Sequence, residues 1–204
     1  MTTLLAAAVG YLIGSISFAV VSSWIFRLPD PRTYGSGNPG ATNVLRSGKK
    51  AAALLTLIGD GAKGAIAVAA MRWFGPEFGL GEAACAAVAV GAFLGHLYPL
   101  YFGFRGGKGV ATAFGILLAI SPWLALGTLV VFLAAVLGTR YISLGSILGG
   151  IAAAAAAPFI LGWGPLAGAV ILMGALIVAR HRGNLRRLLA GEESKLQLGK
   201  RVLG

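Results

Sequence analysis

The chain has few charged residues and very few that carry a negative charge. Only 11% of its 204 residues are charged, and six Asp and Glu stand against 17 Lys and Arg, for a net charge of +11. The single cysteine, Cys85, excludes an internal disulfide. Cys, His and carboxylate residues form no cluster with the spacing of metal ligands. We therefore expect neither a metal ion nor another cofactor.

Apolar residues make up most of the chain. They account for 57% of the sequence, and the mean hydropathy is +0.85. A water-soluble domain cannot bury that much apolar surface, so the predicted class is integral membrane protein. The N-terminus lacks the basic region of a signal peptide and is interpreted as a retained first span. Small residues let helices approach closely in lipid, and this role is expected for Gly10, Gly14, Gly91, Gly149 and Gly168.

Six apolar stretches are candidates for membrane spans. A helix needs roughly 20 apolar residues to cross a bilayer, and stretches of that order lie near 4–26, 51–71, 83–101, 143–162 and 165–181. The stretch 110–138 is too long for one comfortable helix and short for two. Pro122 interrupts it and suits the first turn of a new helix, because Ser121 before it can cap that helix.

The distribution of basic residues decides how often 110–138 crosses. Lys and Arg gather on the cytoplasmic side of membrane proteins. The basic residues lie in four places: the loops 27–50 and 102–109, Arg140, and the tail, which extends to Lys200 and Arg201. All four lie on the same side of the membrane only if 110–138 crosses twice. The predicted fold is therefore all-α: one integral membrane domain over residues 1–204, with seven transmembrane helices, the N-terminus outside and the C-terminus in the cytoplasm.

This topology brings five polar or glycine-broken segments to the inner face: 35–46, 95–99, 104–112, 140–146 and 180–188. Consecutive backbone N–H groups in glycine loops bind anions, and the N-terminus of a helix adds its dipole. Anion binding is therefore favoured for the glycines beside Lys108. The loop is not a nucleotide-binding P-loop: that motif needs Gly at the position of Phe102, and Ser or Thr at the position of Gly109.

Other polar residues have more than one interpretation. His96 is either a hydrogen-bonding group between helices or a support for the site. His181 precedes Asn184 by three residues, so both project from one helix face and a functional role is favoured. Asp60 and Lys63 have the spacing of a structural ion pair inside a span. A glutamate of the tail, Glu192 or its neighbour Glu193, is expected to brace the helix end near His181.

Five motifs together resemble one known family. They are "GSGNPGATNVLR" (35–46), "DGAKG" (60–64), "GHLYPLYFGFRGGKGVAT" (95–112), "RYISLGS" (140–146) and "HRGNLRRLLAGEE" (181–193). In this order, between apolar spans, they are similar to those of the bacterial acyl-phosphate:glycerol-3-phosphate acyltransferase family. The chain departs from the family at Ser17, where proline is expected, and at Arg105, where lysine is common.

The resemblance implies an activity and a location. The reaction would transfer a fatty acyl group from acyl phosphate to the 1-position of sn-glycerol 3-phosphate, giving lysophosphatidate and inorganic phosphate in the first acylation of phospholipid synthesis. The family uses no metal and takes neither acyl-CoA nor acyl carrier protein as direct donor. The expected place is the bacterial cytoplasmic (inner) membrane, among membrane lipids, with the site at the cytoplasmic face and no nucleic-acid partner.

Site residues follow as hypotheses from the matched motifs. The expected catalytic residues are Ser36, Arg46, Lys108, His181 and Asn184. The residues expected to bind substrate are Asn38, Gly40, Thr42, Asn43, Gly106, Gly107, Gly109, Thr112, Arg140, Ser143 and Ser146. The proton of the attacking hydroxyl passes either to the donor phosphate or to His181 as general base. Ser36 as an acylated nucleophile is disfavoured, because no base is committed to activating it.

A second class of function stays open. A transporter or carrier of a small organic phosphate would also need cationic groups. Transporters usually place them near the midplane of the membrane, on broken helices of repeated halves. In this chain the polar groups cluster at the ends of spans, and no internal repeat is visible.

Overall fold

The computed structural model describes residues 2–196; Lys200 and Arg201 of the predicted basic tail lie outside the described residues. Within this range the chain is helical and contains no strand, which confirms the all-α prediction. Two 3₁₀ turns, Gly75–Phe78 and Leu100–Phe102, follow the fourth and fifth helices. The α-helices are α1 (Thr2–Gly14), α2 (Phe18–Ile25), α3 (Ala41–Leu45), α4 (Lys50–Phe74), α5 (Glu82–Leu97), α6 (Val110–Ile120), α7 (Pro122–Thr139), α8 (Ile142–Leu161), α9 (Pro165–Arg180) and α10 (Arg182–Leu189).

Five helical segments are long and apolar enough to cross a membrane. They are Thr2–Ile25, Lys50–Phe78, Glu82–Phe102, Pro122–Thr139 and Ile142–Leu161. The bent pair α9 and α10, with 54° between them, makes a sixth if it is counted as one span. Helix α6 is apolar but has only 11 residues. By length and composition, the described part of the chain therefore has five or six candidate spans, where the sequence predicted seven.

The predicted interruption within 110–138 is present. Helix α6 ends at Ile120, and α7 begins at Pro122. The Ser121 hydroxyl accepts a hydrogen bond from the Leu124 N–H (3.3 Å), as expected of a capping serine. Proline lacks the N–H that a continuous helix would need at this position. The break is thus a local property of the sequence, and its prediction is confirmed.

A second break, inside the first span, was not predicted. The sequence predicted one helix over 4–26, but α1 ends at Gly14 and α2 begins at Phe18. Ser17 lies at this break with extended backbone (φ −89°, ψ 100°). The break frees the Ile16 carbonyl, which accepts a hydrogen bond from Lys63 Nζ (2.7 Å). A distant side chain therefore stabilises the interruption.

Glycines bring α1 and α5 into backbone contact. A Cβ at Gly10, Gly14 or Gly91 would overlap backbone atoms of the facing helix, so the packing role predicted for these three is confirmed. At Gly149 a Cβ would make ordinary contacts of 3.6 Å. At Gly168 it would meet nothing within 4 Å, so the prediction of close packing there is wrong.

The predicted ion pair inside the bundle is also present. Lys63 Nζ lies 2.8 Å from Asp60 Oδ1, and both side chains are almost fully buried. The His96 ring Nδ1 lies 3.5 Å from the same carboxylate oxygen. The Thr112 hydroxyl donates to the Asp60 carbonyl (2.9 Å). Mutual pairing offsets the desolvation of these groups, and it joins α4 to α5, α6 and the break at Ile16.

This arrangement predicts that Lys63→Met destabilises the protein. The substitution leaves the Asp60 carboxylate without its closest cation and the Ile16 carbonyl without its donor. A loss of about 3–5 kcal/mol is expected for breaking a buried pair on one side, and thermal unfolding in detergent micelles measures it as a lower Tm. The double variant Asp60→Asn/Lys63→Met should recover part of the loss, while Lys49→Met, at an exposed lysine, serves as control. Equal Tm values for Lys63→Met and Lys49→Met would contradict a stabilising role.

Candidate anion-binding site

The glycine loop 103–109 packs against the end of α5. A Cβ at Gly106 would overlap the carbonyls of His96 and Leu97, and one at Gly107 would overlap the His96 ring. Gly109 has φ +84°, a left-handed conformation that favours glycine, and α6 begins at the next residue. These glycines therefore allow a close approach that residues with side chains would prevent.

Arg180, at the end of α9, holds this loop in place. Its guanidinium donates to the carbonyls of Gly106 (3.0 Å) and Gly107 (3.0 and 3.3 Å), and it lies over the Tyr98 ring, 5.4 Å from the centroid. A trans peptide directs its N–H opposite to its C=O, so the Lys108 N–H points away from Arg180. The first N–H groups of α6 have no acceptor within the helix. The loop thus presents backbone donors on the face opposite Arg180.

A chain of hydrogen bonds links Lys108 to the tail. The Lys108 ammonium donates to Asn184 Oδ1, and Asn184 Nδ2 donates to Glu193 Oε1 (2.6 Å). The same glutamate oxygen accepts from the Ser143 hydroxyl (2.8 Å), and Glu193 Oε2 accepts from Arg187 Nε (2.7 Å). Three predicted site residues from distant segments, Lys108, Ser143 and Asn184, therefore meet in one cluster.

The cluster controls the charge of Lys108. Burial lowers the pKa of Lys108 to about 8; the Glu193 carboxylate opposes this shift, and the positive charges of Arg187, Arg180 and Arg46 add to it. Burial alone would raise the pKa of Glu193, but the hydrogen bonds from Asn184, Ser143 and Arg187 bring it below its usual value. Lys108 therefore stands among more positive than negative charges, an environment that favours a bound anion.

The loop 35–40 lies against the glycine loop, since a Cβ at Gly107 would come 3.0 Å from the Pro39 carbonyl. The buried Asn43 side chain organises this segment: its Nδ2 donates to the carbonyls of Pro31 (2.7 Å) and Tyr34 (3.1 Å), and its Oδ1 accepts from the Ser36 N–H (2.9 Å). The side chain of Ser36 is left exposed. Arg46, at the end of α3, is also exposed.

His181 lies at the bend between α9 and α10 and is buried. Its Nδ1 is 2.8 Å from the Ile177 carbonyl. Because a carbonyl only accepts, Nδ1 carries the proton, and Nε2 of the neutral ring is left as an acceptor. His96 instead contacts Asp60 and the glycine loop, through the hydrogen bond from the Gly107 N–H to its carbonyl (3.2 Å). The ring contact joins two helices, and the backbone contact supports the loop, so both interpretations of His96 stay open.

Other predicted substrate-binding groups have protein partners or lie at the surface. Asn43 and Thr112 make the contacts given above, and the Ser146 hydroxyl donates to the Ile142 carbonyl (2.9 Å). The side chains of Thr42 and Arg140 are exposed, and the Asn38 carbonyl accepts from the Gly40 N–H (2.9 Å). A contact of these residues with substrate stays a prediction.

One residue of this cluster had no assigned role in the predicted site. Arg180 lies in the segment 180–188 that the sequence placed at the inner face, but no contact was predicted for it; its position next to His181 was the available signal. Glu193 carries the contacts that brace the tail against α10. The Glu192 side chain is exposed, and within residues 2–196 Glu192 is bonded only through its N–H, to the Arg187 carbonyl (2.8 Å). Between the two glutamates, the expected brace is therefore Glu193.

Fold and site together define a class: a helical, multi-pass membrane protein with a candidate anion site at one end of its bundle. Comparison with known proteins is more specific. A family model described as glycerol-3-phosphate acyltransferase matches residues 4–191. The glycerol-3-phosphate acyltransferases of Janthinobacterium sp. (strain Marseille) and Ralstonia pickettii (strain 12J) are 56% and 53% identical to this chain, covering 96% of it and 98% and 95% of their own lengths.

Solved structures agree with the sequence relatives. The crystal structure of PlsY (YgiH), an integral membrane glycerol 3-phosphate acyltransferase, in its glycerol 3-phosphate form matches with a TM-score of 0.87 at 39% identity, over 97% of this chain and 96% of that one. Its lysophosphatidic acid form matches with a TM-score of 0.85 at 38% identity and the same coverage. The chain belongs to the glycerol-3-phosphate acyltransferase family. It is an integral membrane acyltransferase, and phospholipid biosynthesis follows from the family.

The pKa of Lys108 predicts how acyl transfer depends on pH. The ammonium is charged only below its pKa, so kcat/KM should fall as the pH rises through about 8. Because Glu193 raises the pKa of Lys108, Glu193→Gln should move this fall to lower pH. Lys108→Arg should remove it, since a guanidinium stays protonated. The measurement is kcat/KM against pH for each purified variant.

Glu192→Gln is the matched control, because it removes one carboxylate from the adjacent exposed position. Its pH profile should coincide with that of the unaltered protein. If kcat/KM of Glu193→Gln fell at the same pH as that of the unaltered protein, the coupling between Glu193 and Lys108 would be contradicted.

Proposed function

We propose that the chain transfers a fatty acyl group from acyl phosphate to the 1-position of sn-glycerol 3-phosphate. The observation that carries this proposal is the meeting of the glycine loop, Lys108 and Asn184 at one end of an apolar bundle. Both substrates carry a phosphate, and one also carries an apolar chain. The relatives support the acceptor and the product, since PlsY has been solved in glycerol 3-phosphate and lysophosphatidic acid forms.

The chief task of the protein in this reaction is to hold two anions together. Two phosphate groups bring about three to four negative charges near neutral pH, given a second pKa near 6. Lys108, Arg46 and Arg140, with the N–H groups of the glycine loop, oppose that repulsion. Preorganised donors in a site with little water stabilise developing charge far better than water does. Positioning and charge compensation then supply the rate acceleration.

An acyl phosphate is already activated, so the reaction needs no covalent acyl-enzyme. The acceptor hydroxyl attacks the acyl carbon, the bond from that carbon to the phosphate oxygen breaks, and inorganic phosphate leaves. Lys108 stabilises the charge on the departing phosphate. The hydroxyl proton goes to the donor phosphate. This route requires no serine nucleophile and no dedicated protein base.

The topology proposed with this function has seven crossings within a single membrane domain. Helices α6 and α7 form two crossings despite the shortness of α6, and α9 forms the seventh. The N-terminus then lies outside, and the basic segments face the cytoplasm of a bacterial inner membrane. Four exposed tryptophans lie at or beside helix ends: Trp24, Trp73, Trp123 and Trp163. Tryptophan is enriched where membrane helices meet the lipid headgroups, so these positions support helices that end at the membrane surface.

Purified protein incubated with palmitoyl phosphate and glycerol 3-phosphate should form lysophosphatidate without acyl-CoA. Lys108→Met should lower kcat by about 10²-fold or more, because the departing phosphate loses its cation. Lys49→Met removes an exposed lysine outside the cluster and should leave the rate unchanged. A carrier of organic phosphates would form no product, and this outcome would overturn the proposal.

The fate of the proton is tested by His181→Gln. If the donor phosphate takes the proton, the variant should keep kcat within about tenfold of the unaltered protein, since general-base catalysis contributes more, typically 10²–10⁴-fold. The measurement is kcat at saturating substrate, with Tm as the check on folding. A loss of 10³-fold at unchanged Tm would assign the base to His181.

A further inference from the structure

Asp30 and Arg32 form an ion pair outside the cluster around Lys108, in the chain that leads into the loop 35–40. The Asp30 carboxylate accepts from Arg32 Nε at Oδ1 (2.9 Å) and from Nη2 at Oδ2 (2.6 Å). Such a bidentate pair fixes the plane of the guanidinium. The third nitrogen of the guanidinium, Nη1, is therefore held in a defined direction and is left to bond a different group.

That group is the carbonyl of Phe102, which accepts a hydrogen bond from Arg32 Nη1 (3.0 Å) across 70 positions of the chain. The guanidinium also lies over the Phe102 ring, 5.8 Å from its centroid. Phe102 ends the 3₁₀ turn that follows α5, and the glycine loop 103–109 begins at the next residue. Arg32 therefore ties the chain ahead of the loop 35–40 to the chain directly ahead of the glycine loop.

The two loops meet a second time further along the chain. A Cβ at Gly107 would come 3.0 Å from the Pro39 carbonyl. Beyond this contact one loop enters α3 and the other enters α6. The loops are thus in contact at both of their ends. If the contact between Arg32 and Phe102 were lost, the loop 35–40 could pivot about the contact that remains.

The loops joined in this way carry residues that are expected to be catalytic. Ser36 lies between the two contacts on one loop, and Lys108 directly follows the second contact on the other. The residue beside Arg32, Pro31, extends the link, because its carbonyl accepts from Asn43 Nδ2 (2.7 Å) while Asn43 Oδ1 accepts from the Ser36 N–H (2.9 Å). A displacement of Arg32 would therefore move Ser36 relative to Lys108.

We propose that Arg32, oriented by Asp30, is a positioning residue for acyl transfer: through the Phe102 carbonyl it keeps the two loops close enough for both to bind the phosphate of glycerol 3-phosphate. The inference rests on the proposed function. Each guanidinium nitrogen of Arg32 already donates to a protein acceptor, so its role is to link the loops and not to contact substrate. The same hydrogen bonds hold the pKa of the Asp30 carboxyl below its usual value, so the pair stays ionised at neutral pH.

Arg32→Gln tests the proposal, because it removes the hydrogen bond to Phe102 and the partner of Asp30. The KM for glycerol 3-phosphate should rise about tenfold or more, the order expected for one hydrogen bond from a charged group. The kcat should change less than about threefold, because binding lost equally from the ground and transition states appears in KM. A role in stability alone would lower the Tm and the amount of active protein at unchanged KM, and this outcome would overturn the proposal.

Arg32→Lys separates the effect of position from that of charge, and it is the variant that disturbs folding least. Lysine keeps the positive charge but cannot form the forked pair with Asp30, so the KM for glycerol 3-phosphate should stay raised. A KM equal to that of the unaltered protein would mean that the charge attracts the anionic substrate, and the proposal would fail. Arg27→Gln is the matched control: it removes an exposed arginine from the same basic loop and should leave KM unchanged.

Asp30→Ala tests whether Asp30 acts through Arg32. The single variant should raise the KM for glycerol 3-phosphate, because Arg32 loses the group that orients it. The double variant Asp30→Ala/Arg32→Gln should have the same KM as Arg32→Gln alone, since residues that act through one contact have non-additive effects. Increases in KM that multiply in the double variant would contradict the orientation of Arg32 by Asp30.

A distance measurement tests the link between the loops separately from activity. Thr33 and Arg105 are exposed and lie on either side of the contact between Arg32 and Phe102. Spin labels on Thr33→Cys and Arg105→Cys, in a Cys85→Ala background, should give one narrow distance distribution that Arg32→Gln broadens. An unchanged distribution would overturn the proposal. If the unaltered protein formed no lysophosphatidate, the proposed function would fail instead, and the distance distributions would still decide whether Arg32 joins the loops.

Discussion

The buried ion pair between Asp60 and Lys63 connects the helices of the bundle to the glycine loop of the candidate anion site. Lys63 also holds the Ile16 carbonyl, which the break between α1 and α2 would otherwise leave without a partner. The Asp60 carboxylate lies next to His96, whose carbonyl accepts from the Gly107 N–H. Hydrocarbon offers no water to such groups, so each must find its partner within the protein. A single pair thus sets the relative positions of several helices and the glycine loop.

Hydrogen bonds from two sides fix the conformation of the glycine loop. The Arg180 guanidinium donates to the carbonyls of Gly106 and Gly107, and the His96 carbonyl accepts from the Gly107 N–H. The Lys108 N–H points away from Arg180, and the Lys108 side chain meets Asn184. Glu193 compensates part of the positive charge there. The burial that lowers the pKa of Lys108 also strengthens its attraction to any anion, because the local dielectric constant is low.

Local sequence signals predicted some features well and others poorly. The break at Ser121 could be predicted because serine followed by proline ends one helix and caps the next within three residues. The break before Phe18 could not, because the lysine that stabilises it lies 47 positions along the chain. Gly91 and Gly168 look alike in the sequence, yet only Gly91 faces a backbone at close range. Which of them packs closely depends on where the neighbouring helices lie.

The sequence by itself was enough to predict an all-α membrane protein with its polar segments at the ends of the helices. The signals were the composition, the positions of the basic residues and the spacing of the motifs, and all three reflect solvation and local geometry. Which polar atoms meet depends on contacts across the whole chain. Lys108 reaches Asn184 only because α9 turns by 54° into α10, and Glu193 rather than Glu192 joins them because the tail returns to Ser143. Such pairings arise from the packing of distant segments, and for that reason only the tertiary structure decided them.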